Sequence, residues 1–110
     1  GRFEESLSCL KKIVEADASR FYSWYAYTEV LMLVGEYEDA ITVLEKAIQI
    51  HKRAELYYQL SNAHFNLKDE KRGQDALQRA LDLDPTLSED METKYPYIKD
   101  QVAKEKSKKK

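Results

Sequence analysis

Apolar residues return along this chain at steps of three and four, the spacing of one helical face, and nowhere keep up the alternation of a strand. In the first segment the recurring positions are Phe3, Leu7, Leu10 and Val14, with charged residues between them. The pattern predicts helices over roughly 2–16, 20–34, 37–50, 54–67 and 70–83. Gly35 stands where a left-handed residue ends one helix and opens a tight turn. At the equivalent place one unit later stands Lys68, so that turn is either strained or closed differently, and Asp69 after it can cap the next helix. Pro85 ends the last of these helices, and Thr86 with Glu89 has the spacing of a capping box for a further one. Pro96 interrupts that helix near Tyr95, and a second terminal segment over about 96–106 follows.

The helical pattern also repeats as a block. A step of 34 carries Gly1 and Phe3 onto Gly35 and Tyr37, and Ser6, Leu10 and Ile13 onto Ala40, Leu44 and Ala47. A step of 33 then carries those three onto Gly73, Leu77 and Ala80, and Trp24 onto Tyr57. A period in this range marks stacked supersecondary units, each too small to bury its apolar face alone. Small residues at Thr28 and Ser61, and at Ala40 and Gly73, let paired backbones approach closely, while Trp24, Leu44, Tyr57 and Leu77 fill the space beside them. Gly73 in mid-helix costs about 1 kcal/mol relative to Ala, and close packing is the reason to expect for it.

Composition narrows the function classes. Net charge is −2 and the pI is near 5.7, which argues against nucleic acid or a membrane surface as partner, since either needs a basic face. No apolar run approaches the length of a membrane span. The single cysteine, Cys9, cannot form an internal disulfide and leans only weakly toward a cytoplasmic setting. His51 and His64 have no Cys or second His at ligand spacing, so no metal or cofactor is expected and both histidines read as structural. Glu4-Glu5, Glu36-Glu38-Asp39 and Asp69-Glu70 fall in first turns of helices, where they complement the helix dipole, and no phosphate loop or nucleophile motif occurs. The expectation is a protein that is not an enzyme and has no catalytic residues.

The repeated positions resemble the tetratricopeptide repeat, a helix–turn–helix unit marked by Trp, Leu, Gly, Tyr, Ala, Phe, Ala and Pro positions. Over 21–53 they are held by Trp24, Tyr27, Thr28, Leu31, Ala40, Leu44 and Ala47, with Lys52 where Pro would stand. Over 54–87 they are held by Tyr57, Leu60, Ser61, His64, Gly73, Leu77, Ala80 and Pro85. The resemblance implies an all-α fold, a right-handed α-α superhelix of antiparallel helix pairs with a C-terminal capping helix. The domain expected is 1–103, made of a half repeat at 1–20, repeats at 21–53 and 54–87 and a capping region at 88–103, followed by a disordered Lys-rich tail at 104–110. A chain that opens in mid-repeat is expected to be a C-terminal fragment of a longer array. Its first helix would lack the partner that covers Phe3, Leu7, Leu10 and Val14, and self-association through that stripe is expected.

The resemblance also implies where function resides, on a concave groove lined by the first helix of each unit. It assigns Tyr22, Tyr25, Glu29, Met32 and Leu33 from one unit, and Glu55, Tyr58, Asn62, Phe65 and Asn66 from the next. Such a groove is aromatic, polar and mildly acidic, suited to a protein or peptide segment. For Tyr25 and Phe65 the alternative is packing between neighbouring first helices. Some relatives clamp an acidic peptide terminus with Lys, Asn and Arg residues. This chain keeps only Asn62 and has Tyr25, Tyr58 and Gln59 at the basic places, so a basic or aromatic-rich segment fits better. The other reading is a purely structural cap of a longer array whose binding surface lies in upstream repeats.

Overall fold

A computed structural model describes residues 2–87 as five α-helices and a closing 3-10 turn: α1 (Arg2–Ala16), α2 (Phe21–Leu33), α3 (Tyr37–Ile50), α4 (Ala54–Asn66), α5 (Glu70–Leu83) and the turn Pro85–Leu87. Every helix expected within these residues forms, with ends that move by a residue or less. The expected capping helix, the second terminal segment and the Lys-rich tail lie outside the described residues. Consecutive helices pack on one another, and α2 also touches α4, so the first helices of successive repeats meet directly. The fold is an α-helical solenoid.

The turns inside the repeats show how the chain is folded back. After α2, Gly35 takes a left-handed φ of 81°. Its N–H donates to the Met32 carbonyl at 3.1 Å and that of Glu36 to the Leu31 carbonyl at 2.9 Å, the paired bonds that close a helix on a left-handed residue. Lys68 settles the question its side chain raised. It takes a left-handed φ of 65°, and the same two bonds form from Lys68 to Phe65 at 3.0 Å and from Asp69 to His64 at 2.9 Å. The second turn is therefore closed like the first, in a conformation that costs a residue with a Cβ more than it costs glycine. Asp69 then caps α5, accepting from the Arg72 N–H at 3.2 Å.

The loops between repeats share a different device. Asp17 accepts from the Ser19 N–H at 3.0 Å and from its hydroxyl, and Asp84 accepts from the Thr86 N–H at 3.0 Å and hydroxyl at 2.6 Å. The Ser19 bonds, before the Arg20 charge, hold the Asp17 carboxyl below its ordinary value. The Thr86 hydroxyl donates to Asp84 within the turn, and the capping box expected of Thr86 with Glu89 lies outside the described residues. The middle loop has His51 at the matching position. His51 Nε2 lies 2.9 Å from the Ala18 carbonyl, which also accepts the Trp24 indole N–H at 2.9 Å. One carbonyl thus ties the loop before α2 to the loop before α4.

The core follows the large-and-small pattern. Ala40, Leu44, Ala47, Leu77 and Ala80 are fully buried, and Trp24 and Tyr57 are nearly so. One cluster joins Phe21, Trp24, Leu44 and Leu56, and another joins Tyr57, Tyr58, Phe65 and Leu77. Thr28 and Ser61 are closed off from solvent, and at Thr28 the close approach is bridged by polar groups. The Thr28 hydroxyl donates to Gln59 Oε1, and Gln59 Nε2 donates to the Tyr25 carbonyl at 3.4 Å, which links α2 to α4 in the interior.

Gly73 has a specific partner. A Cβ built on it would lie 2.5 Å from the Phe65 ring, well inside contact distance. Gly73→Ala gains about 1 kcal/mol in helix propensity but overpacks the site by about 1–3 kcal/mol. A net loss of stability is expected, read as a lower urea midpoint with an unchanged m-value; a stabilised variant would show that the ring moves aside freely.

Candidate binding surface

The stripe expected to line the groove divides into a surface part and a core part. On α2, Tyr22, Glu29 and Leu33 fall two and three turns apart and so share one line on the helix. Tyr22 is 72% exposed and Leu33 68%, while Tyr25 and Glu29 are half-buried. Met32 lies inside, packed with Leu31, Ala40 and Ala63. On α4, Glu55 is half-buried, Asn66 is exposed, and Asn62 retains 9% exposure. The Asn66 Nδ2 donates to the Asn62 carbonyl at 2.8 Å and to its Oδ1 at 3.2 Å.

Tyr58 and Phe65 do not lie on an open surface. They are 0% and 2% exposed and pack with Leu77, Ala80 and Leu81 of α5. The reason for Phe65 is the notch that Gly73 leaves on α5, into which its ring fits. Sequence spacing places a residue on a helix face but does not report which neighbour is cut away to receive it. For Phe65 the packing alternative therefore describes the structure, and for Tyr25 the half-buried ring takes part in both core and surface.

Around Tyr22 lies a cluster that spacing along one helix does not reveal. The Phe21 ring meets Tyr22 edge-on at 5.1 Å and Tyr25 at 5.9 Å between centroids. His51 approaches it at 5.8 Å, and the Arg53 guanidinium lies over its face at 3.8 Å. Arg53 in turn reaches Glu55 at 2.9 Å. The cation over Phe21 and the carboxylate beside it fix this end of the stripe, with Tyr22 projecting from it. Arg53 belongs to the loop before α4, so only the packing of α4 beside α2 brings it here. A cleft of about 350 Å³ between α1, α2 and α3 is lined by Lys11, Glu15, Trp24, Tyr27, Asp39 and Lys46, among others, and contains none of the expected stripe. The Tyr27 phenol there is pushed up by burial, then by the Asp39 and Glu15 charges, and stays protonated.

No cluster of His, Cys, Asp and Glu able to hold a metal occurs among the described residues, and none of their helices is long and apolar enough to cross a membrane. Cys9 is exposed on α1. His64 is buried, and burial is the main reason its imidazole is held below its ordinary value of 6.5. The Arg72 charge acts in the same direction, while Asp69 and Glu45 oppose it.

A depressed histidine value means that the unfolded chain takes up the proton first as pH falls. Stability from neutral His64 is complete above about pH 6.5 and is lost progressively below it. The urea midpoint is expected to drop between about pH 7 and 5, with His64→Gln flattening that part of the profile; identical slopes would remove His64 as the cause. Tyr58→Ala is expected to cost about 3–5 kcal/mol, as for other large buried rings, and Tyr22→Ala less than about 1 kcal/mol. Thermal unfolding of the two variants distinguishes the core residue from the surface one.

Comparisons with known proteins agree with this geometry. The tetratricopeptide repeat family matches residues 54–87. Two solved structures titled as MamA superpose with TM-scores of 0.73 and 0.72, at 29% and 30% sequence identity over 92% and 93% of this chain. The chain spans 59% and 56% of the length of those two structures. No curated protein matches it in sequence. Residues 54–87 thus match the tetratricopeptide repeat, and the described residues form a helical solenoid similar to that of the two MamA structures.

Proposed function

We propose that the chain is a non-catalytic module that holds a protein or peptide segment along the first-helix stripe of α2 and α4. Solenoids of this repeat type are protein-interaction modules, which is the general part of the reading. The observation that carries the finer part is the exposure of Tyr22 and Leu33, two large side chains aligned on one helix and kept in water. A folded chain gains by burying such groups, and a ring and a branched aliphatic on a rigid helix are efficient anchors for a partner. Glu29 and Glu55 lie along the same surface, so a segment with basic and aromatic side chains complements it.

A second reading, in which the chain is a purely structural part of a longer repeat array, draws on Tyr58 and Phe65. Their burial takes part of the expected surface into the core.

The two readings are separated by panning a phage-displayed peptide library on the native chain and testing the enriched clones on Tyr22→Ala/Leu33→Ala. The groove reading expects clones rich in basic and aromatic residues that lose about tenfold or more in affinity for the variant, while its melting curve stays close to native. Absence of enriched clones, or equal affinity for both proteins, would favour the structural reading.

A further inference from the structure

The cleft between α1, α2 and α3 lies on the other side of α2 from the proposed groove. Trp24, Tyr27 and Leu31 line it, half a turn around the helix from Tyr22, Glu29 and Leu33. α1 and α3 each fold back on α2 through a short turn, so they run in the same direction as two walls over that floor. The equivalent cleft one unit on, between Ile48 on α3, Tyr57 and Leu60 on α4 and Arg79 on α5, is open at about 440 Å³ although α1 and α2 stand before it. The opening is therefore a property of the repeat stack and does not depend on what precedes α1. On α1 the stripe expected to be open is corrected by the same packing: Val14 is only 5% exposed, beside Phe21 and Trp24, and Leu7 packs against the Leu31 and Met32 cluster, so α2 covers that side.

The rim of the first cleft is charged in a fixed order. The 34-residue step sets Lys11 on α1 level with Glu45 on α3, next to Lys46, so two ammonium groups stand on facing walls at the middle of the cleft. Asp39 lies two turns before Lys46 on α3 and Glu15 one turn after Lys11 on α1, so a carboxylate marks each end. All four are exposed, and none is in an ion pair among the described residues. One unit on, Glu45 and Arg72 take the places of Lys11 and Asp39 with signs reversed, so this order belongs to the one cleft and not to the repeat.

We infer that the cleft docks a helical segment of a partner protein that sets an acidic side chain between Lys11 and Lys46 and basic side chains against Asp39 and Glu15. The two lysines repel each other across the cleft until an anion enters, and the Tyr27 hydroxyl beneath them stays protonated and can donate to the same anion. A uniformly acidic or uniformly basic segment meets like charges at one place or the other, so the order of signs selects the partner. Along the axis the carboxylates stand about 10 Å and about 6 Å from the level of the lysines. A helix laid along the cleft has the same rise, so its basic residues fall seven positions to one side of the acidic residue and four to the other. Exposed ion pairs contribute little each, and burial of apolar side chains over Trp24, Tyr27 and Leu31 supplies the rest of the contact. This surface is separate from the α2 and α4 stripe and stands whether or not that stripe binds a peptide.

Fluorescence anisotropy with labelled, stapled helical peptides tests the docking. Two peptides, one for each chain direction, carry a central glutamate with lysines seven residues to one side and four to the other, and leucines on the face between them. One of the two is expected to bind the native chain. Lys11→Glu/Lys46→Glu is expected to weaken that peptide about tenfold or more, with a melting curve close to native because both side chains are exposed. Tyr22→Ala/Leu33→Ala is expected to leave its affinity unchanged, which separates this surface from the proposed groove. A peptide with every sign inverted is expected to be refused by the native chain and accepted once Lys11→Glu/Lys46→Glu is combined with Glu15→Lys/Asp39→Lys. Failure of both peptides to bind the native chain would overturn the inference, as would binding indifferent to Lys11→Glu/Lys46→Glu or lost with Tyr22→Ala/Leu33→Ala.

Discussion

A helix pair of this size cannot bury both of its apolar sides within itself, and the structure is organised by that constraint. Each helix depends on its neighbours along the array for the contacts its sequence calls for. The consequence is a gradient of burial. In α4, which packs with α2, α3 and α5, residues as different as Leu56, Tyr58, Gln59, Ser61, His64 and Phe65 are all buried. In α1 the buried residue is Val14, which faces α2. Polar groups follow the same gradient: Gln59 is taken fully inside and must be satisfied there, and it is, by Thr28 and the Tyr25 carbonyl across the repeat boundary.

That constraint also explains why the repeats are coupled by specific contacts. The Ala18 carbonyl accepts from Trp24 and meets His51, Arg53 covers Phe21, and Gln59 reaches back to α2. The Arg53 contact joins the two ends of one unit, and the others run between one unit and the next. The other joints inside a unit are of another kind, the left-handed turns at Gly35 and Lys68 and the fit of Phe65 over Gly73. Lys68 shows that the turn geometry is imposed by the packing of the helices it joins, since the residue itself does not favour it.

The same coupling decides what is left uncovered. Tyr22 and Leu33 remain in water on one line of α2, beside the Arg53–Glu55 pair contributed by the start of α4. The surface is built on helices whose other faces are locked in the core, so a ligand would meet a preformed shape.

The amino-acid sequence by itself determined the helices, their turns and the repeat. The three-and-four spacing, Gly35, Asp69 and the recurrence of Ala40, Leu44 and Ala47 as Gly73, Leu77 and Ala80 are local or periodic signals, and they hold wherever the chain is placed. Tertiary structure decided which residues of a helix face reach the surface. Tyr25 and Tyr58 occupy matching repeat positions, a step of 33 apart, yet the first is half-buried and the second 0% exposed. Gln59, at a place where some relatives carry a basic clamp residue, serves as an interior link; Leu7 and Val14 read as open and are covered by α2. The physical reason is that burial is a property of pairs of faces. A sequence states the face that each helix offers, and only the packed array states which face meets it.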